Sequence, residues 1–218
     1  MTRPDRRGRR APGANRTSIL AAAYEAIATL GYRAATTAEI CRRAGVSSGT
    51  FFHYFPTKDA MLLALLSEED LGPGGDSGYS GVTREVPTQG AVAGIVEEVI
   101  AQAADPHLPA FVREISTLVT IPRVAAVVAD TAARRRARIH AAIEAEVRAG
   151  TARGDLPVEE LARRVELLID GFESAVASAS PTRGTAAGAA GGAPGFDALA
   201  GSLRGAAADV VAPRPIAP

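Results

Sequence analysis

The chain has no tryptophan, one cysteine and one lysine among its 218 residues, and each shortage excludes something. Cys41 alone cannot close an internal disulfide, and nothing in its setting suggests secretion. No uninterrupted apolar run is long enough to cross a bilayer, so no membrane partner is expected. The N-terminus is arginine-rich with no apolar stretch behind it and does not read as a signal peptide, so the expected location is cytoplasmic. Aromatic residues make up 5% of the chain, and no stretch alternates apolar and polar side chains as a half-buried strand does. The helical period dominates, and the fold class expected is all-α. His53, His107 and His140 are scattered, and the chain contains no HExxH, GxSxG, phosphate-loop or paired-cysteine motif. No enzyme, catalytic residue, metal site or cofactor is therefore expected.

What is present is an ordinary soluble composition, 47% hydrophobic and 22% charged, with its charge unevenly placed. Residues 1–60 carry ten basic side chains against four acidic ones, and the remainder carries a compensating acidic surplus. A basic head on an acidic body suits a polyanion-binding end, because phosphate contact is mainly electrostatic. Much of the excess sits in Arg3, Arg6, Arg7, Arg9 and Arg10, interleaved with Pro4, Gly8, Pro12 and Gly13. That composition predicts a disordered arm over 1–14, either a solubilising tail or a strand following a nucleic-acid backbone.

Helical signals follow in order. Leu20, Ala23, Ile27 and Leu30 form a stripe on a first helix running from about Asn15 or Thr17, and Gly31 ends it. Thr36 and Glu39 have capping-box spacing, with a hydroxyl for an orphan amide and a carboxylate reaching back. They open a short helix to about Ala44. Gly45 supplies the turn, and Ser47 caps a third helix over about Ser48–Tyr54. Pro56 stops that helix and Thr57 caps a fourth, with Met61, Leu62, Leu65 and Leu66 inward. Glycine and proline exclude a stable helix over 72–87. Periodicity resumes at about 89–104, 109–120 and 122–149, then from Pro157 with Leu161, Val165, Leu168, Phe172 and Val176 on one face. Residues 180–195 form a flexible connection, and a last helix over about 196–211 carries Phe196, Leu199, Leu203, Ala207 and Val210.

Two short helices joined by a glycine turn inside a three-helix unit are a helix-turn-helix, whose second helix fits the major groove of B-DNA. Ile19-Leu20-Ala21-Ala22-Ala23, Gly31-Tyr32, Thr36-Thr37, Ile40, Ala44-Gly45-Val46-Ser47, Gly49-Thr50 and Tyr54-Phe55-Pro56-Thr57-Lys58 occur in that order. This run closely resembles the DNA-binding domain of TetR-family repressors and covers roughly a quarter of the chain. The resemblance implies a helix-turn-helix DNA-binding domain over 15–60, a helical ligand-binding and dimerisation domain over 61–212, and a frayed tail over 213–218. It implies a repressor released from a palindromic operator by an unidentified small-molecule effector. Thr37 and Lys58 take phosphate-contact roles. Ser47, Ser48, Gly49 and Thr50 open the recognition helix, and Phe52, His53 and Tyr54 lie at or beside its groove-facing positions. By the same resemblance the last two helices, about 157–178 and 196–211, pair with their copies in a homodimer. Phe111, Ile115, Leu118, Val119 and Phe172 are apolar candidates for lining the effector site.

Plainer readings stand beside these. Phe51 and Phe55 are core wedges, and His53 is alternatively a satisfied histidine with no part in base contact. Cys41 is a small buried thiol in preference to a redox sensor. Each effector-lining candidate reads as ordinary core in preference to a ligand contact, and the apolar faces of the last two helices serve a dimer, the monomer core or some of both. Arg134, Arg135, Arg136 and Arg138 read as the solvated side of a long helix, with Glu144 and Glu146 nearby. Phe52 stands where the family commonly has tyrosine and Ser48 where it often has a basic residue. Those departures keep open an interaction module without DNA binding.

Overall fold

A computed structural model describes residues 12–67, 90–179 and 195–213. Among the described residues all regular structure is helical: α1 (Pro12–Leu30), α2 (Thr37–Ala44), α3 (Ser48–Tyr54), α4 (Lys58–Ser67), α5 (Ala91–Ala103), α6 (Leu108–Leu118), α7 (Pro122–Arg148), α8 (Val158–Ala179) and α9 (Phe196–Val211). No described helix is long and apolar enough to cross a membrane. The expected loop over 72–87 lies outside the described residues, as do the connection over 180–194, most of the arm and residues 214–218 of the tail. α1 begins at Pro12, three to five residues earlier than the stripe suggested. Proline suits a first turn, where its missing amide would have no partner in any case.

The turns form largely as the side chains dictate. Thr36 Oγ1 accepts the Glu39 amide at 3.2 Å, Ser47 Oγ the Thr50 amide at 3.1 Å, and Thr57 Oγ1 the Ala60 amide at 3.0 Å. Each replaces a partner that the first turn of a helix lacks. The expected reciprocal half of the capping box does not form. The Thr36 amide donates to the Ala34 carbonyl, and the Glu39 carboxylate instead binds Arg42 and Arg43. Two cations one turn onward outcompete a single neutral amide. Gly45 sits at φ 66°, the left-handed backbone that lets α2 stop and α3 leave at a new angle.

The buried side chains divide into two apolar clusters. The first gathers Ile19, Leu20, Ala23, Tyr24 and Ile27 of α1 with Ile40, Phe51, Phe55 and Met61, Leu62, Leu65 and Leu66 of α4. It also takes Phe111 and Ile115 from α6 and Val124 from α7. An expected boundary at residue 60 thus falls inside α4, whose buried side chains all belong to this cluster. Leu30, assigned to the α1 stripe from its spacing, is instead exposed at the helix end. Tyr24 takes a core position that the stripe did not include.

The second cluster is the body, formed by α5, α7, α8 and α9. Leu161, Val165, Phe172 and Val176 of α8 meet Phe196, Leu203 and Ala207 of α9 there, joined by Ile139 and Ile143 of α7. α7 is 27 residues long, about 40 Å of helix, and reaches both clusters. α5 starts under α7: the Glu146 carboxylate accepts the Val92 amide at 2.9 Å. A Cβ on Gly90 would lie 2.6 Å from Glu146 Oε1, so only glycine admits that cap.

Candidate DNA interface

α3 is anchored by one face and presents the other. Phe51 is fully buried and Phe55 nearly so, and their rings lie 5.9 Å apart in the head core. Ser47, Ser48, Gly49, Phe52 and His53 are exposed, while Thr50 and Tyr54 are half-buried at the margins. A short helix with its inner aromatics locked and its outer residues in water is a rigid projection of the kind a groove receives. The sequence therefore placed the nine DNA candidates on one small head, seven of them on or immediately before α3.

Their surroundings differ. Ser47 and Thr50 are occupied with each other as well as with the backbone, their hydroxyl oxygens 2.9 Å apart. Ser47 is thus the helix cap, and the Thr50 hydroxyl is engaged with it. His53 packs its ring edge against Tyr54 at 5.1 Å and remains exposed. Phe52 stands edge-to-face on Phe51, centroids 5.3 Å apart, with half of its surface in water. Thr37 is half-buried in the first turn of α2. Lys58 is less extended than a phosphate grip suggests: Nζ donates to the Tyr32 carbonyl at 2.8 Å and lies 4.2 Å from the centre of the Tyr32 ring.

Two further head cations escaped the motif-based reading. Arg42 is well exposed on α2, and Arg16 lies over the Phe55 ring at 5.6 Å, beside the end of α3. Only the basic surplus of the head pointed to them. Glu39 binds Arg42 and Arg43 together, and hydrogen bonds from first Arg42 and then Arg43 hold its carboxyl down at about 2. That acid stays charged beside the interface and moderates its positive field.

Directed polar contacts tie α1 and the turn after it to α6 and to the connection that leads from α5 into α6. Tyr24 Oη donates to Asp105 at 2.9 Å, and the Tyr32 amide donates to Glu114 at 2.7 Å. Burial first, then the Asp105 charge and hydrogen bond, push the Tyr24 phenol far up, so it stays a donor at any physiological pH. Asp105 also accepts the His107 amide at 2.8 Å. The α7 arginines are engaged elsewhere. Arg135 binds Asp170 and Glu173, Arg136 binds Glu166, Arg138 binds Glu98, and Arg134 pairs with Asp130. The run is a set of ties from α7 mainly to α8 and α5. Cys41 is buried in the head core.

Sequence comparison agrees with this geometry. Residues 19–65 match the family described as bacterial regulatory proteins, tetR family. The head therefore carries a TetR-family DNA-binding segment. Over 177 residues it is 29% identical to the HTH-type transcriptional repressor AcnR of Corynebacterium glutamicum, covering 79% of this chain and 87% of that protein. A match to the HTH-type transcriptional regulator EthR of Mycolicibacterium smegmatis is 34% identical, but spans 38% of this chain and only 37% of the relative. A transcriptional regulator from Saccharomonospora viridis, solved in complex with choline, shares the fold. Its TM-score is 0.62 at 24% identity, covering 91% of this chain and 98% of that one. The chain thus joins a helix-turn-helix head, similar to those of TetR-family transcription regulators, to a helical C-terminal part.

The residues singled out as effector-lining do not converge. Phe111 and Ile115 lie in the head cluster with Leu118 against it, and Val119 is exposed. Phe172 is in the body cluster, 6.0 Å from Phe196. The apolar faces of α8 and α9 also turn inward, closing the core of a single chain. The faces left outward are different ones: Leu167, Gly171 and Ser174 on α8, and Ala198, Gly201, Ser202, Gly205 and Ala208 on α9.

Proposed function

We propose that this regulator is a homodimeric repressor that binds a near-palindromic operator, with Thr37, Lys58 and the outer face of α3 on the DNA, and that a small-molecule effector bound in the helical body releases it. The observation that carries the reading is the exposed face of α3 over the locked Phe51–Phe55 pair. A single seven-residue helix reads too few bases to find one site in a genome, so two copies related by a two-fold axis are needed. The outward faces of α8 and α9 support such pairing. A Cβ added at Gly171, Gly201 or Gly205 meets nothing within 4 Å, so a partner's helices can approach closely. Release by an effector is supported by the head–body ties. Tyr24–Asp105 holds the connection between α5 and α6, and Tyr32–Glu114 holds the middle of α6, so a shift of these elements changes the pose of the head.

The test is a gel shift with the DNA upstream of the protein's own gene, at two salt concentrations and against excess random DNA. A retained band with a two-fold symmetric footprint is expected, and its absence overturns the reading. Lys58→Ala should weaken binding to all DNA alike and flatten the salt slope by about one unit. Gly205→Tyr should leave the fold intact, shift sedimentation toward monomer and weaken operator binding. A variant that remains dimeric removes the α8–α9 interface from the proposal. Metabolites that raise the melting temperature should also dissolve the shifted band if the body is the effector site.

A further inference from the structure

We infer that Phe52 is a specificity-determining residue, whose ring meets the 5-methyl group of a thymine in each operator half-site. The inference rests on the DNA-binding reading above and goes further by naming what one position of the operator must be.

Phe52 is the one large apolar side chain on the exposed face of α3, and half of its surface is in water. A phenyl ring has no donor or acceptor, so it gains nothing from phosphate oxygens or from the polar edges of guanine, adenine or cytosine. The thymine methyl is the apolar feature that the major groove offers, and contact with it distinguishes thymine from the other bases. A tyrosine here would carry a hydroxyl capable of binding phosphate, and phenylalanine removes that option.

The setting favours a direct approach to the base. Gly49 lies one turn before Phe52 on the same face, and a Cβ added there would meet only Ser47 Oγ, at 3.7 Å. The surface in front of the ring is therefore low and open, and the backbone can come close to the groove floor. The ring is also held in place: it crosses Phe51 at 81°, and Phe51 is itself completely buried. A pre-set ring loses little side-chain freedom when it docks. Ser48 and His53 flank it with polar groups, whereas Thr50 is engaged with Ser47. The half-site read by this helix is thus a thymine set between positions read by hydrogen bonds.

The test begins by selecting an operator from a random-sequence DNA pool with the full-length protein. Each thymine is then replaced in turn by deoxyuridine, which deletes only the methyl group. One position per half-site should respond, with affinity falling about fourfold for one half-site and about fifteenfold for both, as expected when one buried methyl is removed from each. Phe52→Ala should keep its helical melt and its salt slope but lose this difference between thymine and uracil. Phe52→Leu, which retains an apolar tip, should restore part of it. An operator that tolerates deoxyuridine everywhere overturns the inference while leaving the regulator reading intact, and so does undiminished discrimination in Phe52→Ala. Failure to select any preferred sequence overturns both.

Discussion

The head and the body of this protein are built by opposite means. The head is small and packs aromatic side chains, Tyr24, Phe51 and Phe55, around α1, so that a few large residues fix three short helices. The body packs long helices mostly through aliphatic and alanine side chains and supplements them with ion pairs between α7, α8 and α5. A seven-residue helix such as α3 cannot persist in water on its own. Its pose is borrowed from what its aromatics touch. Helices of the length of α7 and α8 need less help. Under the proposed function the head is the rigid reader and the body the part that adjusts.

That contrast is broken or confirmed first by truncating an anchor. Phe51→Ala removes a fully buried ring from the head and should cost about 3–5 kcal/mol there. Operator binding should vanish, while sedimentation and most of the far-UV helical signal persist because the body cluster is untouched. Thermal unfolding followed by circular dichroism should show the head melting before the body. A single transition shifted as a whole would mean that the two clusters fold as one unit through α7, and the division between head and body would fail.

The same contrast explains what was legible in the sequence. In the head, each structural device is local: a Thr or Ser cap three residues before its amide, a glycine where φ turns positive, an aromatic pair one turn apart. Such signals placed α2, α3 and α4 almost to the residue. The failures there were of partner choice. Glu39 had both a backbone amide and two arginines within reach, and spacing alone did not decide between them. In the body the informative contacts join residues far apart in the chain, such as Arg135 with Glu173 or Glu146 with Val92. Periodicity found the apolar face of α8 but could not say whether that face met the same chain or a second copy. For the same reason Phe111 and Phe172 were grouped as one lining, although they belong to different cores.

The next effect in size concerns the seam between the two regions. Burial alone would raise the Asp105 carboxyl, but hydrogen bonds from the His107 ring, the His107 amide and Tyr24 together hold it below its ordinary 3.8. His107 is raised above 6.5, chiefly by its hydrogen bond to Asp105 against the opposing pull of burial, with Glu25 adding and Arg43 subtracting. A histidine raised on folding contributes stability that is fully present below its unfolded value and is lost as pH climbs through the folded one. The carboxyl contributes above its unfolded value and loses that contribution as pH falls through its lower folded one. Asp105→Asn should therefore cost about 1–2 kcal/mol at pH 6, less at pH 8, and flatten the stability profile above pH 6.5. His107→Gln should flatten it too, with a smaller loss. Denaturant melts across that range decide the matter, and an unchanged slope in both variants would show that the seam does not titrate.

The smallest expected effect guards the distinction at its other end. Arg136 binds Glu166 at 3.1 Å with most of its side chain in water, and exposed pairs of this kind contribute about 0–1 kcal/mol. Arg136→Ala should change stability within that range and leave both operator affinity and the salt slope as they were. The slope is the sensitive readout, because removing a cation from a phosphate lowers it by nearly one unit whatever the DNA sequence. A slope flattened by Arg136→Ala as much as by Lys58→Ala would put α7 on the nucleic acid as well. The basic surface would then extend from the reader into the adjustable part, and the separation of roles between head and body would have to be redrawn.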